Sequence, residues 1–263
     1  MWPSKKRRSI MCISERIQDY LKDKGEARVH EVRVGLRYTA VFLENGRAGV
    51  AFTFSEGMTR EWPILEGLHP LEGRCASELL ALLQSRNNIE MAVGLATANA
   101  LANVPADGLL YGDALEYLHI TSKDRVGMVG YFSPVVPKLR NLTSHVTIFE
   151  QDRERGEGCY PEKDAYRLLP KCQVAMITST AILNHTIDKL LDSARSCREV
   201  ALMGATTPLL PQVFYDTPVT LLSGVIVNRP DKILRIVSEG GGIRLFKDHV
   251  MKVNLVLKRK TPF

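Results

Sequence analysis

Arg125-Val-Gly-Met-Val-Gly-Tyr-Phe-Ser-Pro134 is the stretch whose reading decides the fold. It begins as a short apolar run, of the kind that fills a strand buried on both faces. Gly127 and Gly130 mark its end, and Tyr131 to Pro134 make a turn into a short helix. The same order of strand, loop and helix returns downstream. Strand-like His145 to Phe149 leads through polar residues to a helix near Lys163 to Leu169. Gln173 to Ile177 leads through Thr178-Ser179-Thr180 to a helix near Ile187 to Ala194. Glu199 to Met203 leads into Gly204-Ala205-Thr206-Thr207-Pro208, and Thr220 to Val227 into a helix from Pro230 to Ser238. Five short apolar strands alternating with helices specify an α/β fold. They predict a Rossmann-like parallel sheet covered on both faces, spanning residues 123–250. Right-handed crossovers leave such a sheet little topological freedom.

Upstream the pattern changes. Ile13, Ile17, Tyr20 and Leu21 recur at helical spacing over residues 10–24. Three strand-like stretches follow, at Arg28 to Val34, Tyr38 to Leu43 and Gly49 to Phe54. The last two are joined by Glu44-Asn45-Gly46-Arg47, and Asn-Gly tolerates the positive φ of a tight hairpin. With a helix around Ser77 to Leu83 this makes a small α+β unit over residues 10–86. Residues 87–122 read as linking helices. The first of them, Asn88 to Asn103, carries so many small residues (Ala92, Gly94, Ala96, Ala98, Ala100, Ala102) that neighbours can approach it closely, which predicts burial between layers.

Composition narrows the function classes. The chain has 263 residues, 45% hydrophobic and 24% charged, with a net charge of +6. That excess sits in two tails, Lys5-Lys6-Arg7-Arg8 and Lys258-Arg259-Lys260, and the body between them is near neutral. No basic stripe is interleaved with aromatics, so nucleic acid is not an expected partner. Cys12, Cys75, Cys159, Cys172 and Cys197 are scattered, without a Cys-x-x-Cys pair, which suits reduced thiols and a cytoplasmic location. The apolar stretch after the basic N-terminus is too short for a signal-peptide core. No run approaches the roughly 18 apolar residues of a membrane span. A small-molecule ligand is the expected partner, and a homodimer the default assembly.

In open α/β sheets ligands sit beyond the carboxyl ends of the strands. Gly130 there lets a backbone approach a ligand, and Tyr131 or Phe132 can stack on a flat ring. The full Gly-x-Gly-x-x-Gly fingerprint of dinucleotide binding is absent. Glu150, twenty residues after Gly130, can accept hydrogen bonds from ribose hydroxyls. The hydroxyls of Thr178, Ser179 and Thr180 can cap a helix or, with bare N–H groups beside them, hold an anion. Asn184 and Thr186 repeat that arrangement, with Thr186 positioned to cap the next helix. Gly204, Thr206, Thr207 and Pro208 form a small hydroxyl-bearing loop that either closes over a phosphate or carboxylate or serves as an ordinary turn. The six histidines are dispersed, and no metal-ligand spacing is present. A metal would have to arrive already chelated. Ser133, Ser179 and Cys159 have no recognisable base partner.

Five segments carry a family likeness. They are Leu71 to Leu80, Ile89 to Asn103, Val126 to Phe132, Thr178 to Thr186 and Leu202 to Leu209. In order, and across nearly the whole chain, they resemble the putative heavy-metal chelation family, whose activity is not established. The resemblance implies an enolase N-terminal-like domain followed by a Rossmann-like domain, with a site in the cleft between them. On this sequence the matching positions are Asn99, Gly130, Tyr131, Phe132, Thr178, Asn184, Thr186, Gly204 and Thr206 to Pro208. It does not imply an enolase, whose metal-binding acids lie in a barrel that this chain lacks. Glu150 to Pro161, with Arg153, Glu154, Arg155 and Glu157, is less family-like. Two functions stand from this reading. One is binding or processing of an anionic ring-containing molecule or metal chelate. The alternative is an enzyme with a nucleotide-like cofactor, a dinucleotide or S-adenosylmethionine.

Overall fold

The computed structural model describes residues 11–54, 64–151 and 158–257. The basic tails and the charged run at Arg153, Glu154, Arg155 and Glu157 lie outside them. Helix α1 (Ile13–Leu21) buries Ile13, Ile17 and Leu21, one per turn, and Glu15 Oε2 accepts the Cys12 N–H at 2.8 Å at its start. Strands β1 (Val29–Val34), β2 (Tyr38–Leu43) and β3 (Ala48–Phe52) form an antiparallel meander in that order. The β2–β3 hairpin turns at Gly46, with φ +85°. After α2 (Ala76–Leu80) comes α3 (Asn88–Ala102), capped by Asn87, whose side chain accepts from the N–H groups of Ile89 and Glu90. Every α3 residue from Met91 to Leu101 is buried. Its small residues explain how. Gly49 on β3 lies so close that a Cβ there would stand 2.2 Å from Ala100 N, and a Cβ on Gly94 would stand 2.8 Å from Leu83 N on the opposite side.

The rest of the chain builds one eight-stranded sheet. Its elements are β4 (Leu110–Tyr111), β5 (Val126–Val129), α4 (Val136–Leu142), β6 (Val146–Glu150), β7 (Tyr160–Pro161), α5 (Ala165–Leu168), β8 (Val174–Thr178), α6 (Ile187–Ser193), β9 (Glu199–Met203), α7 (Pro211–Phe214), β10 (Leu221–Val227), α8 (Pro230–Ser238), α9 (Ile243–Phe246) and β11 (Val250–Val256). The strand order is β4-β11-β10-β9-β8-β5-β6-β7. All pairs from β10 to β7 are parallel, and β11 and β4 are added antiparallel at one edge. From β5 the chain winds outward through β6 and β7. It then returns to β8 and winds the other way to β9 and β10. The order therefore reverses between β5 and β8, where adjacent loops leave in opposite directions and open a crevice.

The five strands expected from the sequence are β5, β6, β8, β9 and β10. Edge strands β4 and β7, and β11 beside β4, were not anticipated. Two of them are only two residues long, and β11 follows a triple glycine that reads as an ending.

Alternate residues of the central strands feed opposite cores, as the two-residue period requires. Ala175, Ile177, Val200 and Leu202 join the core under α3, which also takes in α1 and the meander. Val174, Met176, Ala201 and Met203 join a second core with Val136 and Leu139 of α4. A third packs Ala40 and Val50 against Ile233, Val237 and Phe246.

One ion pair fixes the lower edge of the sheet. Asp124, just before β5, accepts hydrogen bonds from both terminal nitrogens of Arg198 (2.9 and 3.2 Å), from Thr121 N and from Thr121 Oγ1. These bonds, Arg198 foremost, hold its carboxyl down to about 2 against the opposing effect of burial. Asp124→Asn is expected to lower stability at neutral pH by about 1–3 kcal/mol. The folded value lies below the roughly 3.9 of an unfolded aspartate, so the contribution is full above that value and fades as pH falls toward 2. Urea midpoints of the two proteins should therefore converge between pH 5 and pH 2. A gap that stays constant with pH would contradict this role.

Candidate functional site

A cavity of about 640 Å³ opens at the carboxyl ends of β5 and β8, where the strand order reverses. Its floor comes from the sheet. Gly130 ends β5 with φ +88° and donates its N–H to Phe149 O at 2.8 Å. A Cβ on Gly130 would stand 2.9 Å from Thr178 Cβ, so glycine is what lets the two strand ends close together. Thr178 and Thr180 share a hydrogen bond of 2.9 Å between their hydroxyls. Asn184 accepts from Thr186 Oγ1 (2.8 Å) and Thr186 N (3.3 Å), which leaves its amide N–H pair without a partner among the described residues. Glu150 ends β6. Its Oε2 accepts the N–H of Tyr131 at 2.8 Å, and its Oε1 accepts the N–H of Gln151 at 2.9 Å.

The opposite wall comes from the N-terminal meander. Tyr38 meets Phe52 edge-on at 5.7 Å, and Phe52 meets Phe54 at 5.1 Å. Phe246 of α9 backs Tyr38 at 5.0 Å. Edge-to-face contacts of this kind hold rings in fixed orientations. Burial pushes the Tyr38 phenol up to about 12, with Arg37 pulling the other way. The phenol therefore remains an O–H donor at neutral pH. Arg37 and Arg244 complete the rim.

Seven of the residues expected from the sequence thus line one cavity: Gly130, Tyr131, Phe132, Glu150, Thr178, Thr180 and Asn184. The others do not line it. Thr186 sits behind Asn184; it occupies the N-cap position of α6, but its hydroxyl donates to Asn184 instead of capping the helix. Asn99, Ser179, Thr206, Thr207 and Pro208 are buried in the joint behind the floor. There Asn99 Nδ2 donates to Val50 O (2.8 Å) and Thr206 O (3.1 Å), while Thr206 Oγ1 accepts the Phe52 N–H at 2.9 Å. These bonds suspend β3, and with it Phe52, against the loop after β9. Gly204, at φ +125°, starts that loop, and a Cβ on it would stand 3.1 Å from Ser179 Oγ. Asn99 Oδ1, Ser179 Oγ and Thr207 Oγ1 are buried without hydrogen-bond partners among the described residues. Most of these residues therefore build the joint that positions the aromatic wall.

The sequence reading missed Arg37, Tyr38, Phe52, Phe54 and Arg244. Its signals for the meander were strand-like stretches and an Asn-Gly turn, which mark strands without saying which face meets a neighbouring sheet.

Nucleophilic chemistry finds little support in the geometry. Burial, and then the charge of Glu150, push the Cys159 thiol up, with Arg140 opposing. Cys159 therefore stays a thiol at neutral pH, a weak nucleophile. Among the described residues no three His, Cys, Asp or Glu side chains are grouped so that they could hold a metal ion. No helix of the described residues is long and apolar enough to cross a membrane.

Comparison with known proteins adds a family context. A family model described as putative heavy-metal chelation (DUF364) matches residues 113–256, and a second with the same description (DUF4213) matches residues 16–102. An uncharacterized protein of Methanocaldococcus jannaschii is 27% identical over 257 residues, 92% of each chain. The crystal structure of a DUF364-family protein of unknown function from Pyrococcus horikoshii superposes with a TM-score of 0.82. It is 24% identical and covers 93% of this chain and 100% of its own. A second such protein, from Desulfitobacterium hafniense DCB-2, gives a TM-score of 0.79 at 24% identity, over 92% of this chain and 98% of its own. At that identity the two structures establish a shared fold.

Proposed function

Because this chain belongs to the putative heavy-metal chelation family, we propose that it binds or processes an anionic, ring-containing small molecule or metal chelate. The site is the cleft between its meander and its sheet. In this reading residues 123–250 are a Rossmann-like unit, residues 10–86 supply the facing wall, and residues 87–122 link the two. The observation that carries the proposal is the pairing of walls. A run of edge-packed aromatics faces a hydroxyl- and amide-bearing floor across the crevice where the strand order reverses. An apolar wall of ring faces and edges opposite a few convergent polar groups suits a planar ligand with polar substituents.

The described residues do not fit a bare metal ion, since no cluster of hard or soft ligands converges. A metal that enters with its own chelating ring needs only the ring wall and the polar floor. The nucleotide alternative is disfavoured at one point: the N–H of Tyr131, where a phosphate would seek a donor, already meets the Glu150 carboxylate.

Thermal-shift and native mass-spectrometry measurements test the reading. The panel should hold bare transition metals, metal chelates, pterin-like rings, nucleotides and S-adenosylmethionine. Chelates or ring anions are expected to raise the melting temperature, because a ligand that binds only the folded state stabilises it. A response to nucleotides alone would sink the proposal. Thr178→Ala and Asn184→Ala should abolish the shift. Each should cost less than about 1 kcal/mol of basal stability, the scale of a local cap. A larger basal loss with the shift retained would mark them as structural.

A further inference from the structure

The cleft carries its charges in a particular order. Arg37 follows directly on the turn before β2, and Arg244 lies on α9. The two belong to one rim. A Cβ on Gly242, the N-cap residue just before α9, would stand 3.5 Å from Arg37 Cδ. The Arg37 stem therefore lies against the segment that carries Arg244. Neither guanidinium has a hydrogen-bond or ion-pair partner among the described residues, and both border the cavity. Glu150 and Glu162 line the same cavity, also without a cationic partner among the described residues; Glu150 ends β6, separated from β8 by β5 in the sheet, whereas the two arginines come from the meander and α9. The rings of Phe52 and Phe54 line it too.

Glu150 sets the direction. It accepts the N–H of Tyr131, the first donor after the Gly130 turn. An anionic group brought to that turn would meet a carboxylate in place of a free N–H, and like charges in a partly desolvated site repel strongly. The same group brought to the rim meets two planar guanidinium forks suited to carboxylate or phosphate oxygens. A protonated amine, or a metal-bearing or N–H-donating edge, has the opposite preference and is drawn to Glu150.

We infer that the cleft selects a bipolar ligand: a flat ring with an anionic group at one end, held by Arg37 and Arg244, and a cationic or N–H-donating end held by Glu150. This rests on the ring-binding reading above and deepens it by assigning an orientation. It also separates the molecule from dinucleotide-type proteins, in which the first turn receives the anion.

Four probes that share one indole ring isolate the charges: tryptophan carries both, indole-3-propionate the anion, tryptamine the cation and indole neither. Titration calorimetry on the full chain is expected to show tryptophan binding about tenfold more tightly than either singly charged probe, with indole weakest. Charge-assisted hydrogen bonds are strong enough to give differences of that size. Arg244→Gln should reduce the advantage of tryptophan over tryptamine, with Arg37 still present, while keeping its advantage over indole-3-propionate. Glu150→Gln should do the reverse, since glutamine keeps an oxygen for the Tyr131 N–H while it drops the charge and the acceptor of the Gln151 N–H. Both variants should melt within a few degrees of wild type, which shows that the cleft is intact. Equal binding of all four probes, equal losses in both variants, or no binding of any probe would overturn the proposal. The chelate screen reports separately whether the cleft binds ring anions at all, so the two failures are distinguishable.

Discussion

Gly49→Ala is expected to lower the stability of this protein by about 3 kcal/mol or more, the upper range for overpacking. The added methyl would stand 2.2 Å from Ala100 N, 2.3 Å from Ala96 O and 2.7 Å from Asn99 C. All three are backbone atoms of α3, so no side chain can swing aside. The helix cannot retreat either. On its other side Gly94 leaves no room for even a Cβ before the backbone at Leu83. The meander would have to lift off the helix, which also pulls Val50 O away from Asn99 Nδ2. Urea unfolding should show a lower midpoint with an unchanged slope. A loss under about 0.5 kcal/mol would mean that β3 is not clamped to α3 as described.

Asn103→Ala is the second large effect. Asn103 is only 4% exposed and makes three hydrogen bonds that reach far along the chain. Its Nδ2 donates to Thr207 O (2.9 Å) and Val225 O (3.1 Å), and its Oδ1 accepts the Leu209 N–H at 2.8 Å. Alanine would leave two carbonyls and one N–H buried without these bonds. At about 1–3 kcal/mol for each unsatisfied group, a net loss of about 3 kcal/mol or more is expected. Asn99→Ala should cost less. It removes two bonds, and it also removes the buried Oδ1 that has no partner among the described residues. Thermal melts of the two variants side by side check the ranking. If Asn99→Ala proves the more damaging, the grip on the loop after β9 lies one turn earlier in α3 than the hydrogen bonds indicate.

That ranking shows where the sequence was legible and where it was not. The central strands announce themselves because each is a short apolar run that ends in glycine, hydroxyl or other polar residues. Strand ends also reveal the cavity floor, since Glu150 and Thr178 end their strands and Gly130 follows directly on its own. The rest depends on contacts between residues about 100 positions apart, which no local pattern encodes. Asn99 and Thr206 are 107 residues apart, and Asn103 and Leu209 are 106 apart. The family resemblance put Asn99 of the small-residue helix among the site positions, and Asn103 drew no reading. In the folded chain their partners are backbone carbonyls and N–H groups of the same molecule. Arg37 and Arg244 escaped for the same reason. Arg37 sits in the bend before β2 and Arg244 on the short helix α9, and only the packing of α9 against β2 puts them on a shared rim.

Function follows from the same joint. The suspension of β3 from the loop after β9 sets the distance between the ring wall and the strand-end floor, so stability of the joint and affinity of the cleft should fall together. A substitution such as Gly49→Ala should weaken ligand binding without touching a lining residue.

The central claim is that the two walls receive one ligand together. Hydrogen exchange of the full chain, measured with and without the chelate or ring anion that raises its melting temperature most, tests it most directly. Amides of Ala51 to Phe54, Gly130 to Phe132 and Thr178 to Asn184 are expected to gain protection at the same ligand concentration. Protection confined to one wall, or appearing only in segments away from both, would contradict the account.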